Sequence, residues 1–156
     1  MKSTENSLNK DLAPLILEEI RKMALSKSPS AFFNFDGNES GIVVDHLQFP
    51  NNGYTFCTWL RIERTWNNRY TRFFSMFDSI GNGLELFFKG TRIVFQVILG
   101  KRTYQFTPDY FFHINRWHFL CFTHSKKLLK TSEINLYIDG EHKQTFSLHY
   151  PNFSKE

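Results

Sequence analysis

The stretch Glu133-Ile134-Asn135-Leu136-Tyr137-Ile138-Asp139-Gly140-Glu141-His142 decides the fold class. Ile134, Leu136 and Ile138 occupy alternate positions, the period of two that sends one row of side chains into a core and the other outward. Asp139-Gly140 follows at once, and both residue types tolerate the positive φ of a two-residue hairpin turn. The same alternation recurs upstream at Ile93, Phe95, Val97 and Leu99. Working outward, Gly, Asn, Asp and Pro clusters delimit strands expected near Ala31–Phe35, Gly41–Val44, Tyr54–Glu63, Tyr70–Phe77, Leu84–Phe88, Arg92–Leu99, Thr103–Phe106, Trp117–His124, Glu133–Ile138 and His142–Leu148. Ten short strands suit two packed antiparallel sheets. No period of about 20–50 residues repeats, which excludes a solenoid or propeller.

The N-terminal part reads differently. From Leu8 to Leu25 the residues Leu12, Leu15, Ile16, Ile20, Met23 and Ala24 recur at helical spacing, predicting an amphipathic helix with Asp11 as its cap and Pro14 in its first turn. Ser26-Lys27-Ser28-Pro29-Ser30 breaks that pattern. Residues 1–28 are therefore expected to form a helical segment, either packed on the sandwich or ending a preceding helical unit, and residues 29–156 the sandwich.

At 156 residues the chain suits one domain. Its 18 Phe and 17% aromatic content fit a β-rich core, and fit equally a sequence biased toward Phe, Lys, Asn and Ile. The net charge of +4 is modest and spread along the chain, with five basic and four acidic residues in the first 28. Without a dense basic stripe, nucleic acid is not an expected partner, whereas peripheral contact with an anionic membrane surface is compatible. The polar Met1–Lys10 stretch lacks the apolar region of a secretory signal, and no apolar run reaches the ~20 residues of a membrane span. Two cysteines, Cys57 and Cys121, make no disulfide framework and no metal-ligand spacing, so a reducing, cytoplasmic location is the default expectation. They read as buried thiols packing as small hydrophobes.

No arrangement of residues reads as catalytic. Sandwich glycosidases need two carboxylates on one strand face, but Leu84-Glu85-Leu86-Phe87-Phe88 has Phe87 where the second would stand. The six histidines form no zinc-ligand pattern, and His118 and His124, six residues apart, are separated by about 20 Å along a strand. No Gly-x-Ser-x-Gly elbow occurs. Asp78-Ser79-Ile80-Gly81-Asn82-Gly83 lacks the acidic spacing of a calcium loop and reads as a turn. No enzyme activity, cofactor or metal is expected. The most suggestive polar cluster is Arg61, Arg64, Arg69 and Arg72 with Trp66 and Tyr70 among them. It suits contact with phosphate, sugar or anionic lipid, and equally a solvated connection whose arginines keep a sheet edge soluble.

Ala31-Phe32-Phe33-Asn34-Phe35-Asp36-Gly37, Ser40-Gly41-Ile42 and Tyr54-Thr55-Phe56-Cys57-Thr58-Trp59-Leu60-Arg61-Ile62 resemble the opening of the concanavalin A-like, laminin-G-like domain of BEACH proteins of the neurobeachin type. Arg116-Trp117-His118-Phe119-Leu120 and Leu136-Tyr137-Ile138-Asp139-Gly140-Glu141 resemble the later Trp-His strand and Asp-Gly strand end of that superfamily. Phe33, Phe35, Asp36, Gly37, Trp59, Trp117, Asp139 and Gly140 are the structural motif positions. The resemblance implies a mostly β fold, a jelly-roll β-sandwich of two antiparallel sheets preceded by one amphipathic helix. It implies a non-catalytic scaffolding module of a large cytoplasmic protein concerned with vesicle traffic, membrane dynamics or autophagy, whose partners are proteins or neighbouring domains of the same chain. A lectin-like module binding a glycan is the alternative and a glycoside hydrolase the lesser one. The family domain continues into further closing strands where this sequence stops, so the resemblance leaves two expectations open, a truncated sandwich or an abbreviated member of the family.

Overall fold

In a computed structural model the described residues are 2–37, 40–44, 49–65, 69–128 and 130–153. One helix, α1 (Lys2–Leu25), precedes eight strands: β1 (Gly53–Arg61), β2 (Thr71–Phe77), β3 (Gly83–Lys89), β4 (Arg92–Leu99), β5 (Arg102–Phe106), β6 (Trp117–Ser125), β7 (Glu133–Ile138) and β8 (Glu141–Ser147). They form two antiparallel four-stranded sheets, ordered β1-β6-β7-β8 and β2-β3-β4-β5. The mostly β sandwich of two antiparallel sheets with an N-terminal helix is borne out.

Alternation builds the core. Leu84, Leu86 and Phe88 of β3, Ile93, Phe95 and Val97 of β4, Leu120 and Phe122 of β6, and Ile134, Leu136 and Ile138 of β7 are buried in one cluster. The two sheets meet through rings: Phe56 lies 4.4 Å from Phe74, Phe95 meets Phe122 edge-on at 5.1 Å, and Phe106 stacks on Phe146 at 4.1 Å. Fully burying one such ring contributes on the order of 2–3 kcal/mol, so this Phe-rich interface is the main source of cohesion. The chain changes sheet twice, between β1 and β2 and between β5 and β6. Ile62 and Phe112 are buried where these crossovers meet, tied by hydrogen bonds from Asn115 N to Ile62 O (2.8 Å) and Phe112 N to Thr91 O (2.9 Å).

Three expectations are corrected. Ala31–Phe35 and Gly41–Val44 are not strands among the described residues, and their side chains are exposed, Val43 by 84%. Their apolar pattern supplies strand propensity, but a strand also needs a partner edge, and neither enters a ladder. The helix begins at Lys2, so Asp11 does not cap it and Pro14 lies within it. The helix continues upstream through Lys2–Lys10, where Ser, Thr and Asn fill five of the nine positions, so local helix propensity does not explain the extension. The thiols are half-buried rather than buried, because strand parity puts them on the outer side of their sheet.

Candidate interaction surface

Parity assigns the two outer faces. On β1, Tyr54, Phe56 and Leu60 pack against the core, which turns Cys57, Trp59 and Arg61 outward. The register Arg61↔Trp117, Trp59↔Phe119 and Cys57↔Cys121 sets them beside outward residues of β6. The Arg61 guanidinium lies 5.0 Å from the Trp117 ring and 5.7 Å from Phe32, and it also pairs with Glu63. Phe32 meets Trp117 edge-on at 5.1 Å, and Trp59 and Phe119 are 5.4 Å apart. Phe33 and Phe35 are exposed beyond this patch. This face thus combines a cation with aromatic rings.

The outer face of the second sheet carries a polar row. Arg72 Nε donates to Glu85 Oε2 at 2.8 Å, Gln96 Nε2 donates to Glu85 Oε1, and Gln105 Nε2 donates to Gln96 Oε1. Glu85 is only 6% exposed, so these charge-assisted partners are what make its burial tolerable. The Tyr70 ring lies 4.9 Å from Phe87, which fills the next outward position on β3. The register across the turns, Glu85↔Gln96↔Gln105, follows from counting back from the tight hairpins at Gly90-Thr91 and Gly100-Lys101. That count was available in the sequence, and it would have revealed the row.

The arginine cluster is therefore divided. Arg61 belongs to the outer face of the first sheet, while Tyr70 and Arg72 lie on that of the second, because the chain crosses between sheets in the residues separating them. Arg64 and Arg69 are exposed on the crossover. Trp66 lies outside the described residues. Hollows open on the surface formed by the described residues. One, of about 450 Å³, is lined by Lys127, Lys130, Thr131, Glu133 and Ser147. Another, of about 250 Å³, is an apolar groove between β1 and β2 lined by Phe49, Pro50, Tyr54, Thr55, Phe56, Phe74 and Met76.

The motif residues are joined by bonds that sequence reasoning missed. Asp139 (φ 54°) and Gly140 (φ 81°) both take positive φ in the β7–β8 turn. Asp139 Oδ1 accepts from Phe119 N at 2.8 Å, and its Oδ2 lies 3.2 Å from Nδ1 of fully buried His118. His113 N donates to His118 Nε2 at 3.3 Å, so the ring proton sits on Nδ1 and is donated to Asp139. Burial lowers the His118 pKa from its ordinary value, against the opposing pull of Asp139. The Trp-His strand and the Asp-Gly turn are thus one locked unit. Asp36 accepts from Ser40 Oγ at 2.9 Å, and Gly37 has φ 81°, which marks a bend after the Phe-rich segment. Asp78 Oδ1 accepts from Asn82 N (2.7 Å) and Ile80 N (3.2 Å), making residues 78–82 the β2–β3 turn, with Gly83 opening β3.

Residues 36–156 match the family model described as the concanavalin A-like lectin/glucanases superfamily. The chain is similar to BEACH domain-containing protein lvsE of Dictyostelium discoideum, 26% identical over 87% of this chain and 6% of the relative. It is also similar to BEACH domain-containing protein B of Arabidopsis thaliana, 29% identical over 88% of this chain and 5% of the relative. A "Putative neurobeachin homolog" of Caenorhabditis elegans is 28% identical over 85% of this chain and 6% of its own length. The chain thus spans about one-twentieth of these relatives. No solved structure matches it significantly. The family match and the two packed antiparallel sheets agree, and the chain belongs to the concanavalin A-like lectin/glucanase superfamily.

Proposed function

We propose that this chain is a non-catalytic interaction and scaffolding module of a large BEACH-type protein. It binds an acidic segment of a protein partner, or of a neighbouring domain of the same chain, through the crossover arginines Arg64 and Arg69 and the adjoining Tyr70. The parent protein works in the cytoplasm, in vesicle traffic, membrane dynamics or autophagy. The similarity to BEACH proteins supports this context.

The carrying observation is the state of Glu85. The carboxylate buried on the second sheet's outer face is tied to Arg72 and Gln96, with Phe87 rather than a second acid beside it. Glycosidic hydrolysis needs two carboxyl groups about 5–9.5 Å apart, one of them ready to donate a proton. What this surface offers is exposed cation and exposed ring: Arg64 and Arg69 are exposed, and Tyr70 is 55% exposed. Arginine recognises carboxylates through paired N–H donors.

The test is affinity capture with the wild type and with Arg64→Glu/Arg69→Glu. Arg72 is left intact because reversing it would set two carboxylates together at Glu85. We expect the variant to lose the partner while melting at the wild-type temperature, and an unchanged partner set overturns the assignment. Loss of binding to phosphatidylserine vesicles alone would point to a membrane surface instead. Reproducible binding on a glycan array would favour a lectin, the reading supported by the exposed Tyr70 ring on the same sheet face as the Gln96–Gln105 amides. Turnover of a glucan would refute the non-catalytic reading.

A further inference from the structure

Cys57 and Cys121 are direct register partners across β1 and β6. Their sulfurs are 2.7 Å apart, and both are free, half-buried thiols. Parity puts them on the outer face of the first sheet, beside the Trp59–Phe119 pair. Directly opposed residues in antiparallel strands have Cα atoms about 4.5–5.5 Å apart, within the roughly 4.4–6.8 Å that a disulfide spans. Side-chain rotation alone can close the bond.

From this geometry we propose that Cys57 and Cys121 form an oxidisable dithiol site, which takes a hydroperoxide as its two-electron oxidant and closes to an intramolecular cross-strand disulfide. Cys57 is the attacking sulfur. The Sγ–Sγ hydrogen bond, in which either sulfur can donate, holds one thiol of the pair below its ordinary pKa and pushes the other up, and in the proposed step Cys57 is the sulfur that loses its proton first. The Cys57 thiolate attacks one peroxide oxygen and the O–O bond breaks. The departing hydroxide leaves as water with the proton the thiol gave up, and Cys57 becomes a sulfenic acid. The Cys121 sulfur then attacks Cys57 Sγ and the S–O bond breaks. The second hydroxide leaves as water with the Cys121 proton. Two thiols and one hydrogen peroxide thus give one disulfide and two waters, with both electrons supplied by sulfur.

The bond would fasten an outer strand, β1, to its inner neighbour β6 across 64 residues of sequence separation. Since Tyr54, Thr55 and Phe56 of β1 line the apolar groove, oxidation stiffens one wall of that groove.

The test treats the full chain with hydrogen peroxide, blocks remaining thiols with iodoacetamide, and weighs and digests the product. The expected result is a monomer lighter by two hydrogens, both thiols lost together, the peptides containing Cys57 and Cys121 joined, and both thiols restored by dithiothreitol. In Cys121→Ser, Cys57 should stop at a sulfenic acid captured by dimedone. Independent loss of the two wild-type thiols, accumulation of sulfinic acid, or a bond formed only between molecules would overturn the proposal, and none of these readings depends on how well a variant folds.

Discussion

His124 has no solvent exposure, and its two ring nitrogens are both engaged: Tyr54 Oη lies 3.0 Å from Nδ1, and Nε2 lies 3.3 Å from Leu148 O. The carbonyl accepts only, so Nε2 carries the proton and Nδ1 accepts from the phenol. Neither site can take a second proton without breaking this arrangement, and burial pushes the His124 pKa down to about 4. In the unfolded chain a histidine protonates near 6.5. Between pH 6.5 and about 4 the unfolded state therefore binds more protons, so this contribution to stability is complete above pH 6.5 and is lost as pH falls through that window. The full shift corresponds to about 3 kcal/mol, and His118 shifts in the same direction. Urea midpoints at pH 7.5 and 4.5 should show the wild type losing about 2–3 kcal/mol more than His124→Gln, while equal losses would remove His124 from the account.

At the scale of elements, the β2–β3 hairpin is pinned by one close approach. A Cβ added to Gly83 would stand 2.1 Å from Met76 O and 2.5 Å from a Phe77 ring carbon, so glycine is needed there for space. Gly83→Ala should destabilise the chain by about 1–3 kcal/mol, read from chemical denaturation, and a neutral substitution would show that β2 and β3 do not pair this closely. Elements also mark how far the sequence was legible. Ile134, Leu136 and Ile138 announced β7 because alternation is a local property, and Asp139-Gly140 announced its turn for the same reason. The facing of Cys57 and Cys121, and the bond from His118 to Asp139, depend on register between strands distant in sequence. No local pattern encodes them. Arg61 and Arg72 looked like one cluster because they are close in sequence, but the crossover between them sends them to opposite outer faces. Ile42, Val43 and Val44 have the β-branched composition of a strand yet lie exposed and unpaired among the described residues.

For the whole molecule, the arrangement is a ring-packed interior closed at both ends. Ile62 and Phe112 are buried at one end, and at the other Tyr54, His124 and Tyr150 cluster with Tyr150 Oη donating to Pro50 O at 2.7 Å. The helix adds little to it: Leu15, Ile16, Leu17 and Leu25 are each more than half exposed. No helix among the described residues is long and apolar enough to cross a membrane. The exposed cations and rings described above lie on the outer faces and crossovers.

The most direct check is hydrogen–deuterium exchange of the native chain, read by segment. Amides of β3, β4, β6 and β7 should exchange slowest, at rates set by global unfolding, and α1 and residues 31–37 fastest. Protection of α1 equal to that of β6, or rapid exchange through β4 and β6, would contradict a sandwich whose core lies between these two sheets.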